Sequence, residues 1–138
     1  MFVISIFLTV VLSPLFDLFD ASVIQPNGAE EHIETVVYEF FTAVIIAPLV
    51  ETLIFQFLVI EFLYLTKIGK RKIVVISAII FSLTHYYSIG YIFYAFSMGV
   101  IFSYSYVIRK NATQAFLTVY AIHLLRNAMA YSLRILGI

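Results

Sequence analysis

Long apolar runs constrain the fold of this chain more than any other feature of its sequence. A membrane-spanning helix needs about 20 mostly apolar residues, and the sequence contains five segments of this kind. They are Phe2–Leu18, Thr35–Thr66, Ile73–Tyr86, Ile89–Ile108 and Thr113–Leu136. Because a soluble fold of this size could not bury so many large apolar side chains, the runs predict an all-α, polytopic transmembrane helix bundle.

Composition supports a membrane environment and excludes several other classes. Hydrophobic residues make up 63% of the 138 residues and charged residues only 12%, against about 45–50% and about 25% in soluble domains. The net charge is zero, so nothing indicates nucleic acid as a partner. The chain has no cysteine, which excludes disulfides and thiolate metal sites. We expect membrane lipid as a partner and one transmembrane domain over residues 1–138, with the oligomeric state left open.

The second apolar segment is unusually long and contains Pro48. As one straight helix it would measure about 48 Å at 1.5 Å per residue, which exceeds a hydrocarbon core of about 30 Å. Proline inside a helix removes a backbone hydrogen bond and clashes with the preceding turn. We therefore predict an interfacial or tilted piece before Pro48 and a spanning helix after it, with Glu51 in the first turn of that helix. The segment Phe2–Leu18 lacks a basic start and a convincing cleavage site, so we predict a retained helix and not a signal peptide.

Basic residues predict the orientation of the chain. One group lies between the second and third segments and another between the fourth and fifth; they are Lys67, Lys70, Arg71 and Lys72, and Arg109 and Lys110. Two membrane passes separate the groups, so both face the same side, which the positive-inside rule makes cytoplasmic. The N-terminus is then predicted to be cytoplasmic, with the Asp20–Glu34 loop and the C-terminus outside.

Several polar residues lie inside the apolar segments, where an ionisable side chain costs at least about 2.5–3.5 kcal/mol and usually has a function. They are Glu51, Glu61, His85, His123, Arg126 and Asn127. The alternative is that a side chain near the interface extends to water, which is favoured for Glu61 and, near the segment ends, for Glu39 and Arg134. This alternative also suits His85 at the end of its segment, but it suits His123 and Asn127 poorly.

The spacing of these residues favours a shared cavity. His123 and Asn127 are four residues apart and share one helix face; the predicted topology brings them together with Glu51 and His85 in the outer half of the bilayer. A carboxylate and an imidazole can activate water, and an asparagine and a second imidazole can stabilise an oxyanion. From residue types alone, a hydrolase and a proton- or ion-translocating network are equally favoured, ahead of a structural hydrogen-bond network.

Three motifs in order resemble those of the CAAX-protease/bacteriocin-processing (CPBP, or Abi) family. Ala47-Pro48-Leu49-Val50-Glu51-Thr52-Leu53-Ile54-Phe55-Gln56 resembles the first motif, E-E-x-x-x-R, which Ala-Pro often precedes. Phe81-Ser82-Leu83-Thr84-His85 matches F-x-x-x-H, and His123-Leu124-Leu125-Arg126-Asn127 matches H-x-x-x-N. Phe96-Ser97-Met98-Gly99 with Ser103 resembles the small-residue helix between the second and third motifs, whose small residues allow close helix packing. The resemblance covers residues 47–127.

The resemblance implies an intramembrane endopeptidase of a prokaryotic cell membrane, acting on a protein or peptide substrate. It implies that Glu51 is the water-activating base, that His85 assists it, and that His123 and Asn127 form the oxyanion hole. It also implies a glutamate-based mechanism without a metal cofactor. Zn²⁺ held by Glu51 and the two histidines is the less favoured alternative, because Asn127 suits an oxyanion better than zinc.

The first motif departs from the family pattern at two positions. Thr52 replaces the second glutamate and Gln56 replaces the arginine, and residues four apart can pair along a helix. We therefore expect a Thr52–Gln56 hydrogen bond as a structural substitute for the missing ion pair. Arg126, three residues after His123, is expected either to face the site, where it could pair with Glu51 or grip a substrate carboxylate, or to extend outward.

Two other functions remain open at this point. The first is a catalytically inactive binding or bacteriocin self-immunity protein on the same scaffold. The second is a small transporter or channel component, which is less favoured because the polar residues concentrate in one membrane half and no inverted repeat is present. Prenylated substrates require a cytoplasmic site, and the predicted topology puts the site toward the outside. This orientation favours an exported or membrane-anchored substrate.

Overall fold

The computed structural model describes residues 33–86 and 88–136, and within them the fold is entirely helical. The predicted all-α class is therefore confirmed for this part of the chain. The predicted segment Phe2–Leu18 and the loop that follows it up to residue 32 lie outside the described residues. The number of membrane spans and the assignment of residues 1–138 to one domain stay predictions.

The second apolar segment forms one continuous helix made of five stretches. In chain order they are α1 (Ile33–Phe40), π1 (Phe41–Ile46), α2 (Ala47–Glu51), π2 (Thr52–Leu58) and α3 (Val59–Leu65). We call this run the long helix. Its part Val36–Leu65, 30 residues, is the one helix in the described part of the chain that is long and apolar enough, by length and composition, to cross a membrane.

The predicted break at Pro48 is wrong, because the long helix passes through the proline without interruption. Ala47, directly before it, keeps helical angles of φ −59° and ψ −50°, and its N–H donates to the carbonyl of Thr42, five residues back. This wider π turn accommodates a residue that cannot donate and that crowds the preceding turn. Glu51 consequently lies near the middle of the long helix and not in its first turn.

Three further helices complete the described bundle: α4 (Lys70–Leu83), α5 (Ile89–Val107) and α6 (Ala112–Leu136). Capping side chains bind backbone N–H groups at the first turns of α5 and α6. The Ser88 hydroxyl accepts the N–H of Tyr91 at 3.1 Å, and Asn111 Oδ1 accepts the N–H of Gln114 at 3.1 Å, as capping residues commonly do.

Helix α5 contributes more buried hydrophobic residues than any other described helix, and it packs closely on α4 at Gly99. A Cβ added at Gly99 would lie 3.0 Å from the Cα of Ala78, so only glycine fits this crossing without a shift of the neighbouring helix. The predicted role of small residues in bringing helices together is therefore seen at this position.

The outer surface of the long helix is apolar. Several large apolar side chains are exposed along it: Leu49, Val50, Leu53, Ile54, Leu58 and Phe62. A contiguous apolar surface of this kind suits contact with lipid.

The two basic loops lie side by side at one end of the bundle. Lys70 Nζ donates to the carbonyl of Val107, the last residue of α5, at 3.0 Å. Helix α4 starts at this end and runs away from it, so His85, which follows α4, lies toward the opposite end. The loops and the histidine therefore mark two different ends of the structure.

Candidate active site

One cavity of about 70 Å³ collects polar side chains from three of the helices and from the turn after α4. The polar residues that line it include Glu51, His85, Tyr94, His123, Arg126 and Asn127. All four residues that were predicted from the sequence to be catalytic thus line the same cavity. Arg126 lines it as well and so faces inward.

Glu51 lies between the two histidines. Its Oε2 is 3.9 Å from Nε2 of His85 and 3.5 Å from Nε2 of His123. The first separation is too long for a direct hydrogen bond and is of the kind that a water molecule can bridge. The carboxylate is only partly exposed, with 27% of its side chain accessible.

The structure constrains which nitrogen of His85 carries the proton. Nδ1 lies 2.9 Å from the carbonyl of Phe81 and 3.1 Å from the hydroxyl of Thr84. Because a carbonyl can only accept, Nδ1 must donate to Phe81, and in the neutral ring Nε2 is then a hydrogen-bond acceptor. This acceptor is the atom that faces Glu51. Phe81 therefore orients the ring as well as forming part of the cavity wall.

His123 is buried in the core between a ring and a hydroxyl group. Only 3% of its surface is exposed. The centroid of the Phe102 ring lies 4.5 Å from the centroid of the imidazole ring, and the hydroxyl of Thr52 lies 3.4 Å from Nδ1 of His123. If the hydroxyl donates to Nδ1, then Nε2 carries the proton and can donate into the cavity. Thr52, which replaces an acidic residue of the family motif, can thus set the tautomer of His123.

Asn127 and Arg126 form a connected pair at the cavity. Asn127 Oδ1 accepts from Nη1 of Arg126 at 2.8 Å, and Asn127 Nδ2 donates to the carbonyl of Ala43 at 2.9 Å. Arg126 also donates to the hydroxyl of Tyr94 through Nε and Nη2, and its guanidinium lies over the Tyr94 ring at 4.8 Å. Within the described residues Arg126 makes no ion pair with Glu51.

The predicted Thr52–Gln56 hydrogen bond is wrong. Both residues are fully buried, but the Thr52 hydroxyl faces His123 on α6. Among the described residues, the amide of Gln56 has no hydrogen-bond partner at either Nε2 or Oε1. The reason is that π2 packs against α6, which gives Thr52 a partner on another helix. Gln56 therefore lies apart from the polar cluster.

Other polar residues singled out from the sequence lie elsewhere. Glu61 accepts a hydrogen bond from the hydroxyl of Tyr106 at 2.8 Å, and Glu39 forms an ion pair with Arg134 at 3.4 Å. Sequence reasoning missed Tyr94 and Phe102 as cavity residues. The sequence does not distinguish either residue from the others of its type, because the chain has ten tyrosines and fourteen phenylalanines.

Within the described residues, no group of three or more His, Cys, Asp or Glu side chains is arranged to hold a metal ion. The zinc-free mechanism stays a prediction that chelation can test.

Comparison with known proteins identifies the family. The family model described as Type II CAAX prenyl endopeptidase Rce1-like matches residues 33–129, most of the chain. The chain belongs to this family. The resemblance to the CAAX proteases that the three motifs carry is therefore confirmed, and the family supports a membrane-associated, CAAX-type endopeptidase over an inactive scaffold. No curated protein and no solved structure gives a significant match.

Proposed function

We propose that this protein is an intramembrane endopeptidase in which Glu51 and His85 activate a water molecule and His123 and Asn127 stabilise the oxyanion. The observation that carries the proposal is the position of the Glu51 carboxylate between the Nε2 atoms of two histidines, at 3.9 and 3.5 Å, inside one cavity. The family match supports proteolysis in general.

The first step is attack of water on the scissile carbonyl. A water molecule between Glu51 and His85 forms a hydrogen bond to Nε2 of His85 through one of its O–H groups and keeps that hydrogen. It transfers its other hydrogen, as a proton, to the Glu51 carboxylate while its oxygen bonds to the carbonyl carbon. The carbonyl π electrons move to the oxygen, which becomes the oxyanion. Glu51 then returns the proton to the leaving nitrogen, and the carbon–nitrogen bond breaks to leave a carboxylic acid and an amine.

Two donors are available for the oxyanion. Asn127 uses one N–H for Ala43, which leaves its second N–H for substrate, since a primary amide has two. His123 donates through Nε2 when the Thr52 hydroxyl donates to Nδ1. Preorganised donors of this kind each contribute about 10²–10³ in kcat. Arg126 adds a nearby positive charge that favours the developing oxyanion.

The substrate that we propose is an exported or membrane-anchored protein or peptide. The basic loops meet at one end of the bundle, and His85 lies toward the other. With the basic end in the cytoplasm, the cavity faces the outer half of the bilayer. A prenylated substrate, which the family description would suggest, is made in the cytoplasm and requires the opposite orientation.

The test uses purified protein in lipid nanodiscs and two internally quenched peptides, one unmodified transmembrane peptide and one with a farnesylated cysteine near its C-terminus. We expect Glu51→Gln to lower cleavage about 10²–10⁴-fold, the usual contribution of a general base, and His85→Ala to have a similar effect. Glu61→Gln is the matched control, because Glu61 accepts from Tyr106 away from the cavity and a glutamine can accept the same bond. Undiminished cleavage by Glu51→Gln would refute the mechanism.

The choice between the two peptides tests the substrate class separately from the mechanism. Cleavage of the farnesylated peptide alone would contradict the proposed class and leave the roles of Glu51 and His85 intact. In cells, quantitative membrane proteomics of wild type against Glu51→Gln should show precursors that accumulate only in the variant, and these would identify the natural substrate.

A further inference from the structure

The carbonyl of Ala43 has lost both of its partners within the long helix. In an α-helix it would accept from the N–H of Ala47, but that N–H donates to Thr42 instead. In a continued π register it would accept from residue 48, five residues on, and residue 48 is a proline without an N–H. The π1 turn and Pro48 together therefore leave this carbonyl without an intrahelical donor.

A side chain of α6 fills the place of the missing donor. Asn127 Nδ2 donates to the Ala43 carbonyl at 2.9 Å. An unpaired backbone carbonyl is costly in a membrane, so this bond supplies the partner that the helix itself does not provide. Arg126 holds the other end of the same amide at 2.8 Å. The amide plane of Asn127 is thus fixed at both ends, at the edge of the cavity that contains Glu51.

The other π turn uses the same arrangement. At the end of π2, the N–H of Val59 donates to Ile54, five residues back. The next carbonyl, that of Phe55, accepts from the hydroxyl of Ser77 on α4 at 2.7 Å. At the end of each π turn, the carbonyl that follows the last one bonded five residues on accepts a hydrogen bond from a side chain of a neighbouring helix. This indicates that the π turns fix the position of polar side chains in this bundle.

We propose that Pro48 is a positioning residue for Asn127 and acts through the Ala43 carbonyl. The inference rests on the proposed function, in which Asn127 donates to the oxyanion. Pro48 touches no reacting atom. It keeps a backbone N–H away from Ala43, and the carbonyl then holds one N–H of Asn127 and directs the other toward substrate.

Activity tests this role through a double-mutant cycle. Pro48→Ala introduces a backbone N–H that competes for Ala43, and we expect kcat to fall about tenfold with KM within twofold of wild type. In the Asn127→Ala background, where there is nothing to position, the same change should alter kcat less than twofold, because coupled residues are not additive. Leu49→Ala, next in sequence and outward-facing with 37% exposure, is the matched control and should keep wild-type kcat.

Three outcomes separate failures of the two proposals. Wild-type kcat in Pro48→Ala, or the same loss in both backgrounds, would overturn the role of Pro48 and leave the proposed mechanism standing. Wild-type kcat in Asn127→Ala would remove Asn127 from the oxyanion hole and, with it, the residue that Pro48 positions.

A spectroscopic measurement tests the geometry without any substrate. Ala43-Val44 is the single Ala-Val pair in the chain, so ¹³C-carbonyl alanine combined with ¹⁵N valine marks this one carbonyl in solid-state NMR spectra. With ¹⁵N asparagine added, wild type in lipid should show a through-space contact from an asparagine side-chain nitrogen to that carbonyl, and Pro48→Ala should weaken it. Absence of the contact in wild type, or an unchanged contact in Pro48→Ala, would overturn the inference.

Discussion

Gly99→Ala tests the packing that supports the cavity. An added Cβ would lie 3.0 Å from the Cα of Ala78, 3.2 Å from its carbonyl oxygen and 3.1 Å from Cδ1 of Phe81. Two of these atoms are backbone of α4 and cannot rotate away. Overpacking of this kind costs about 1–3 kcal/mol, and the backbone contacts place it in the upper half of that range. The better helix propensity of alanine offsets about 1 kcal/mol, so the free energy of unfolding should fall by about 1–2 kcal/mol.

The assay is thermal unfolding in lipid nanodiscs followed by circular dichroism at 222 nm. A loss of about 1–2 kcal/mol corresponds to a Tm lower by roughly 2–8 °C for a chain near this size. Gly69→Ala is the control, because a Cβ there meets nothing within 4 Å and Gly69 has an ordinary φ of −67°. Gly69 is also the N-cap of α4, where alanine is less favourable than glycine, so the unfolding free energy of Gly69→Ala should fall, but by less than that of Gly99→Ala.

Activity provides a second readout of the same change. The ring of Phe81 lies 4.6 Å from that of His85, and the Phe81 carbonyl fixes the His85 tautomer. A shift of α4 away from Gly99 should therefore lower kcat as well as Tm. A Gly99→Ala protein with the Tm and kcat of Gly69→Ala would refute the close-packing argument, since it would show that α4 moves without cost.

Further predictions concern the buried amide, the tautomer, the metal and the orientation. Gln56→Met should raise Tm, because it replaces a buried amide that has no partner among the described residues by an apolar side chain of similar length and so removes a desolvation cost of about 1–3 kcal/mol; an unchanged or lower Tm would contradict this. Thr52→Val should lower kcat about tenfold with little change in KM, because it removes the hydroxyl 3.4 Å from His123; wild-type kinetics would contradict the tautomer role. Cleavage should be unaffected by 1,10-phenanthroline or EDTA, and a loss that Zn²⁺ restores would support the metal alternative. In this cysteine-free chain, Gly69→Cys should react with impermeant maleimide only from the cytoplasmic side and Gly28→Cys only from outside; the reverse pattern would overturn the orientation.

The sequence predicted the members of the cavity better than it predicted the helix that carries Glu51. Glu51, His85 and His123 stood out because an ionisable group inside an apolar run is costly and therefore rare. Their shared cavity followed from helix order and spacing. The π turns on either side of Pro48 could not be predicted in this way, because the exposed surface of this helix is apolar as well as its buried surface, which leaves no hydrophobic periodicity to follow.

The partners of individual side chains were predicted least well. Thr52 and Gln56 have the spacing for a bond along one helix, but spacing carries no information about a competing partner on another helix, and His123 is that partner. Likewise Tyr94 binds Arg126 from a helix rich in aromatic residues, where no single tyrosine is distinguishable by its sequence context.

The π turns of the long helix also affect how it can be compared with other helices. Each adds residues beyond the 3.6 per turn of an α-helix, so an ordinary helical wheel assigns the wrong faces to residues on the two sides of π1 or π2. Removing one residue from π1 would restore α-helical geometry and leave the segments on its two sides in nearly their present relative orientation, because the widened turn absorbs one extra residue without the added rotation of about 100° that a residue gives in an α-helix. An alignment of relatives that lack the widened turn therefore needs a one-residue gap between residues 41 and 46, and a sequence motif counted across that gap will be misplaced by one position.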